Sequence, residues 1–297
     1  MALLRQGMKA VATGANPLAL TMESGFSALV RRIRGFIDVP TASAHQVSVD
    51  NRTVFEFTGL AGLNYLFNVF GSDALSILDE LYRLGLVDPI PVAEGETLNI
   101  TAPGGNGVIE VEYDHHTGGD FTGNEKNGKN GKSYQLFQMI SNSAVPPGTG
   151  PVPLDQSDLS AQFPRFPGGA VVPANMTMTL RALFGSSLTA GTGAANAYYI
   201  DRLRLIRDRE DITSLDQLGM IHRADPAYVG GPLLYETQAG DIRTGVRGMP
   251  PSVLVLDPYL EFKAGTKLDV VASAVVNIGA IGAGVVKLGM LFDVDMA

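Results

Sequence analysis

Residues 175–184 read NMTMTLRALF, and this stretch decides the fold class. Polar side chains at Thr177, Thr179 and Arg181 fall between apolar ones. Because the side chains of a strand point alternately to opposite faces, this period of two predicts a strand with one buried face. The apolar members of the series are Met176, Met178, Leu180, Ala182 and Phe184.

The same period occurs in two earlier stretches. In residues 108–114, VIEVEYD, three apolar side chains alternate with three acids. In residues 29–39, LVRRIRGFIDV, the apolar residues Ile33, Ile37 and Val39 alternate with a face that is mainly basic. The sequence therefore predicts a mainly β protein, a jelly-roll-like β-barrel or sandwich with polar outer strand faces.

The composition agrees with many turns between short strands. The chain has 35 glycines and 17 prolines among 297 residues, more than the roughly 12% of average usage, without the repeat of collagen. These residues concentrate in long stretches such as 117–132, 144–153, 163–173 and 185–193. We therefore expect long loops, which are uncommon in a compact enzyme scaffold.

The charge content narrows the classes of partner. Only 18% of the residues are charged, and the net charge is −8, which disfavours nonspecific attraction to the phosphates of a nucleic acid. A surface with few charges fits coverage by neighbouring subunits. It fits equally a monomer whose surface is rich in Ser, Thr, Asn and Gly. The chain has no Cys, so disulfides and thiolate ligands are excluded.

The domain organisation is predicted from changes of pattern along the chain. Residues 1–25 show no clear period and are expected to form an N-terminal arm. Residues 26–297 are predicted to form one elaborated β-barrel domain, with a helical insertion at about 58–84 where leucines recur at helical spacing. A faint match between GETLNITA at 95–102 and GTKLDVVA at 265–272 leaves two fused barrels open.

Neither end of the chain carries a clear membrane signal. The N-terminal stretch is interrupted by Gly14, Asn16 and Pro17, so we expect no signal peptide and synthesis in the cytoplasm of a host cell. The uncharged run at 270–286 approaches the length of a membrane-spanning helix. Its glycines and β-branched residues favour two strands joined by a turn instead.

One dense polar cluster contains the residue types that bind metal ions. Alternation predicts that the carboxylates of residues 110, 112 and 114 line one strand face, where a divalent cation could bind. A solvated strand face is the alternative. The weak candidate ligands are Glu110, Glu112, Asp114, His116 and Asp120.

Catalytic signatures are absent from the sequence. It has no phosphate-binding Gly-Lys-Ser loop, no Gly-x-Ser-x-Gly elbow and no His-Glu-x-x-His motif, and its four histidines are scattered. We predict no catalytic residue and no cofactor. A glycosidase that uses two carboxylates distant in sequence stays open, since no motif marks such a pair.

The overall arrangement resembles the jelly-roll major capsid proteins of tailless, membrane-containing icosahedral bacteriophages and related archaeal viruses. The resemblance rests on the arm, the early helical insertion, the long loops and the strand-dense segments SVLVLDPYLEFKAGTKLDVVASAVV (252–276) and VKLGMLFDV (286–294). It implies a virion protein without catalysis that assembles with itself, and with other capsid proteins, into a shell over an internal membrane. It implies no specific nucleic acid ligand.

A carbohydrate-binding β-sandwich is the alternative function. Tyr198, Tyr199 and Tyr228 are candidate stacking platforms for sugar rings. The chain has no Trp, and packing in a core explains the tyrosines equally well.

Overall fold

The structure is a computed structural model. It describes residues 2–36, 45–57, 81–82, 84–102, 107–118, 133–141, 143, 151–156, 160, 162–163, 166–184, 198–214, 222–224, 253–274 and 287–296.

The described residues form a mainly β, sandwich-like fold, which confirms the predicted class. They divide into two compact units, Met1–Gln135 with Asp293–Met296 and Leu136–Phe292 with Ala297. Whether these units are two fused barrels or parts of one elaborated barrel stays a prediction.

The first unit contains two sets of antiparallel strands. One is a four-stranded sheet in the order β1-β8-β3-β6, and the other follows the order β5-β4-β7-β2. Burial alternates along β4, β7 and most of β8, as in half-buried strands, whereas β1 is mostly exposed. The strands are β1 (Ala2–Thr13), β2 (Leu18–Thr21), β3 (Phe26–Phe36), β4 (His45–Val49), β5 (Arg52–Phe57), β6 (Ile90–Val92), β7 (Thr97–Ile100) and β8 (Val108–Thr117).

The predicted loose arm at residues 1–25 is wrong for most of its length. Strand β1 pairs with β8 from Ala2 to Thr13, and β2 pairs with β7. The register of β1 is broken twice, between Leu3 and Arg5 and between Arg5 and Met8. These bulges erase the alternation that would have marked a strand in the sequence.

In the second unit, β12 lies between β16 and the short strands β13 and β14, β16 pairs with β10, and β10 pairs with β9. Strand β11 pairs with β15 and β17. The strands are β10 (Val152–Gln156), β11 (Met176–Phe184), β12 (Tyr198–Arg207), β13 (Glu210–Ser214), β14 (His222–Ala224), β15 (Val253–Lys263) and β16 (Leu268–Ala274), with β9 (Ser133–Ser141) and β17 (Lys287–Met296), whose bounds include residues of both units.

The core of the second unit is aromatic. The ring of Phe137 makes edge contacts with Phe163, Phe166 and Phe292 at centroid distances of 6.2, 6.3 and 5.6 Å. Such contacts add to the apolar burial of each ring. The alternation predicted for β11 is confirmed over its middle, because Met178, Leu180 and Ala182 are buried. At its ends Met176 is partly exposed and Leu183 is buried as well.

Two hairpin features explain local turns. The β12–β13 turn places Asp208 and Arg209 at φ of 49° and 77°, the positive values that a primed two-residue turn needs. The two segments of the faint repeat also share a backbone feature, since Gly95 and Gly265 have φ of 76° and 84° and each precedes a strand. Only this local similarity supports the repeat.

The predicted helical insertion at about 58–84 receives no support. Leu81 and Tyr82 are helical and Leu84 lies in a turn, while residues 58–80 and 83 lie outside the described residues. The predicted long loops also fall mostly outside them. Within the described part of the chain, helical backbone does not reach the length and hydropathy of a membrane-crossing segment. The run at 270–286 begins as β16, and its remainder is not described.

Candidate functional site

The outer face of the β1-β8-β3 sheet carries ion pairs between neighbouring strands. Lys9 Nζ lies 3.0 Å from Glu110 Oε1, and Arg32 Nη1 lies 3.7 Å from Glu112 Oε2. These side chains are partly exposed, so each pair contributes about 0.2–1 kcal/mol at most. The pairs link β8 to β1 on one side and to β3 on the other.

Asp114 is more deeply buried than the members of these ion pairs. It is 5% exposed and pairs with the guanidinium of Arg31, whose Nη1 also lies 3.3 Å from the Tyr82 hydroxyl. The backbone N–H of Gly7 donates to Asp114 Oδ1 at 3.3 Å. The hydrogen bond to Asp114 raises the pKa of Arg31, against the opposing effect of burial. Asp114 therefore joins β8 to β1 and β3.

Four of the five weak metal candidates lie on β8, and each has its own neighbours there. Glu110 pairs with Lys9 of β1 and Glu112 with Arg32 of β3, whereas Asp114 is buried with Arg31. A bulge in β3 between Val30 and Arg32 adds Arg31 to the strand opposite Asp114. His116 pairs in register with Leu3 and Ser27, and Asp120 lies outside the described residues. Among the residues that are described, no group of three metal-ligating side chains could hold an ion.

A buried phenol lies in the first unit. The Tyr134 hydroxyl donates to Asp88 Oδ2 at 3.1 Å and accepts from the Asp88 N–H at 3.2 Å. Burial raises the pKa of Tyr134, and the nearby charges of Asp88 and Asp293 raise it further. A phenol whose pKa is raised keeps its proton and donates a hydrogen bond.

Strand β1 is an exposed edge. It is the terminal strand of its sheet, with β8 as its one paired neighbour among the described residues. Most of its residues are exposed, including three large apolar side chains, Leu3, Leu4 and Val11, at 49%, 50% and 57%. An edge strand presents unpaired N–H and C=O groups along its free side. β1 therefore offers both backbone and apolar groups to a partner.

Strand β15 is a second exposed edge. Within the described part of the chain it pairs with β11 alone, and its register shifts opposite Leu180 and Ala182. Val255 and Tyr259 are large exposed apolar residues of β15, and the Arg181 guanidinium carbon lies 4.7 Å from the centroid of the Tyr259 ring. This cation–π contact fixes the position of an exposed ring.

The two edges contain most of the exposed large apolar side chains. Seven such residues occur in the described part of the chain, and five of them lie on β1 or β15. Scattered exposed leucines are ordinary, but concentration on strand edges is typical of an interaction surface. We name these two strands, Ala2–Thr13 and Val253–Lys263, the edge pair.

The tyrosines predicted for sugar stacking are not tested. The side chains of Tyr198 and Tyr199 in β12 are not described, and Tyr228 lies outside the described residues. Sequence reasoning missed Tyr259. Its signal was the Pro258 that precedes it, because proline within a strand marks an edge.

Comparisons with known proteins place the chain near no established family. No family model matches it, and no curated protein matches it. Among solved structures, the major capsid protein P2 from bacteriophage PM2 aligns over 98% of both chains, with 9% identity and a TM-score of 0.39.

A second solved structure comprises the tandem CBM51 modules of Sp3GH98, the family 98 glycoside hydrolase from Streptococcus pneumoniae SP3-BS71. It aligns over 98% of this chain and 84% of that one, with 12% identity and a TM-score of 0.24. Both are weak fold resemblances, and neither assigns a function.

Proposed function

We propose that this protein is a non-enzymatic structural protein that assembles with copies of itself through the edges of its sheets. The observation that carries the proposal is the edge pair, which contains five of the seven exposed large apolar residues of the described chain. Burial of such side chains is favourable by about 25 cal/mol per Å² of apolar surface.

The charge content supports the same proposal. Only 18% of the residues are charged, and β1 carries two cations in twelve residues, of which Lys9 is already paired with Glu110. Interface cores are depleted in charge relative to other surfaces. Association of β1 therefore requires little desolvation of charge.

The finer form of the proposal is a major capsid protein of a virion. Copies would form an icosahedral shell, with other capsid proteins as further partners and an internal membrane beneath. This form rests on the family resemblance in the sequence. The edge pair supports self-association, but it does not bear on the geometry of a shell or on contact with a membrane.

Light scattering coupled to size-exclusion chromatography, with electron microscopy of the same fractions, tests self-association. We expect the mass to rise with protein concentration and arrays or shells to form at high concentration. Leu4→Lys should weaken the association, because it places a charge in the exposed apolar edge. Leu84→Lys is the matched control, since Leu84 is exposed at 42% but lies outside the edge pair. A monomer at every concentration and salt would refute the proposal.

A carbohydrate-binding module is the second candidate function, and the exposed ring of Tyr259 favours it. One ring face is covered by Arg181, and the other could stack on a sugar. Glycan binding that is lost in Tyr259→Ala, by a protein that stays monomeric, would support this candidate over self-assembly. Absence of binding across a broad glycan array would remove it.

A further inference from the structure

We infer that the self-association contact is heterologous, with β1 of one copy docked against β15 of the next. This inference rests on the proposed function and specifies its partner surface as a second copy of the chain. The observation behind it is the charge that each edge leaves unpaired.

Most charges on the edge pair already have partners within the chain. On β1, Lys9 pairs with Glu110 at 3.0 Å, and on β15, Lys263 Nζ lies 3.7 Å from Glu261 Oε1. Arg5 on β1 and Asp257 on β15 are both exposed, and neither has a recorded ion pair among the described residues. The two remaining charges have opposite signs.

This distribution disfavours association of like edges. Pairing of two β1 strands would bring two copies of Arg5 and Lys9 to one contact, and pairing of two β15 strands would bring together two copies of Asp257. Like charges at an interface cost several kcal/mol in general and are used to reject wrong partners. Docking of β1 on β15 instead places Arg5 near an acidic edge.

The apolar groups on both edges surround these charges. Leu3 and Leu4 directly precede Arg5, while Val255 and Tyr259 lie two residues before and after Asp257. Each edge therefore presents one charge beside large apolar side chains. A contact of this composition shields the charge pair from water, which strengthens it relative to a pair on an open surface.

Irregular backbone on both edges limits the backbone hydrogen bonds that the two strands can form with each other. The register of β1 breaks on either side of Arg5, and that of β15 shifts between Val255 and Leu260, where Pro258 provides no N–H. Bulges and proline protect edges from continuous ladder pairing. Recognition then depends on the side chains, which is why the unpaired charges decide the partner.

The expected contact is small. A 12-residue strand is about 40 Å long and about 10 Å wide with its side chains, or roughly 400 Å², which is below the ~800 Å² per partner of a standard interface. We therefore expect association that depends on concentration. A heterologous contact of this kind repeats from copy to copy until a ring or shell closes.

Charge-reversal variants of the whole chain test the inference. Arg5→Asp and Asp257→Arg should each weaken self-association about tenfold or more in sedimentation velocity, since each puts like charges in contact. The double variant Arg5→Asp with Asp257→Arg should recover association to within about threefold of wild type, because it restores opposite signs. Glu23→Arg and Arg209→Asp are controls on exposed residues outside the edge pair.

The outcomes separate this inference from the proposed function. If the wild-type chain assembles and the single reversals have no effect, or the double variant fails to recover, heterologous docking is refuted and self-assembly stands. If the wild-type chain never assembles, the proposed function itself is refuted. Far-UV circular dichroism and thermal unfolding of each variant exclude loss of folding as the cause.

Discussion

Removal of the Arg31 side chain is expected to destabilise the first unit, because the buried carboxylate of Asp114 would lose its ion-pair partner. Asp114 is nearly inaccessible to water, with a side chain 7% exposed, and Arg31 is its charged partner. The change Arg31→Met keeps much of the side-chain volume and removes only the charge and its donors. Asp114 then retains the Gly7 N–H at 3.3 Å and loses its counterion.

The magnitude follows from the exposure of the two partners. Loss of one member of a fully buried ion pair costs about 3–5 kcal/mol. The Arg31 side chain is 36% exposed, so water screens the pair and part of that cost is lost. We expect Arg31→Met to lower the free energy of unfolding by about 2–3 kcal/mol.

Urea unfolding followed by far-UV circular dichroism measures the effect, with two comparison variants. Arg32→Met is the matched control, because its pair with Glu112 is longer, at 3.7 Å, and the Glu112 side chain is 23% exposed against 7% for Asp114. That pair should contribute less than about 1 kcal/mol. The double variant Arg31→Met with Asp114→Asn should be more stable than Arg31→Met alone, since it removes the stranded charge. Equal effects of Arg31→Met and Arg32→Met would refute the reasoning.

Two further predictions concern the buried aromatic residues. The pKa of Tyr134 is raised by burial beside Asp88 and Asp293, so its folded-state pKa exceeds its unfolded value of about 10. The resulting stabilisation is complete below about pH 10 and is lost as the pH rises further. In urea unfolding at several pH values, the wild-type protein should therefore lose stability above about pH 10 more steeply than Tyr134→Phe. Parallel pH dependence of the two proteins would contradict this prediction. Phe137→Ala should lower the free energy of unfolding by about 3–5 kcal/mol, because the ring is fully buried against Phe292 and other aromatic rings. Thermal unfolding measures the effect, and a midpoint close to that of the wild-type protein would argue against a packed aromatic core.

The fold class was predictable where burial is one-sided. In β8, Ile109, Val111 and Tyr113 are buried while Glu110 and Glu112 are partly exposed, as the sequence predicted. The same holds over the middle of β11. Alternation survives in these strands because one face of each packs into a core and the other faces polar surroundings.

The prediction failed for β1 because no core imposes a pattern on it. Its residues are mostly exposed, so both faces tolerate either polarity. The two bulges around Arg5 further remove the period of two, and Gly7 adopts a φ of 65° that ends regular strand geometry locally. An exposed, bulged edge strand therefore resembles an irregular arm when only its sequence is considered.

The candidate surfaces were harder to predict than the fold. In β15, whose sequence is VLVLDPYLEFK, Pro258 is the local sign of an edge strand. The sequence does not show which strand lies on its paired side, which is β11. The ion pairs of Glu110 and Glu112 likewise depend on strands far away in sequence. Strand pairing between distant segments determines which carboxylate lies beside a cation. That pairing cannot be predicted from the local pattern of a single sequence.

In the proposed assembly, the edge pair would meet two opposing requirements of a protein that associates with itself. A long, regular and apolar edge would pair without limit and aggregate, so natural sheets protect edges with charges, proline and bulges. Both strands have these devices, in Arg5 and Lys9 on β1 and in Asp257 and Pro258 on β15. They nevertheless keep the exposed apolar side chains that drive association. Protection of the backbone together with complementary side chains gives a contact that is weak alone, selective for its partner edge and reversible, which is what the ordered assembly of many copies requires.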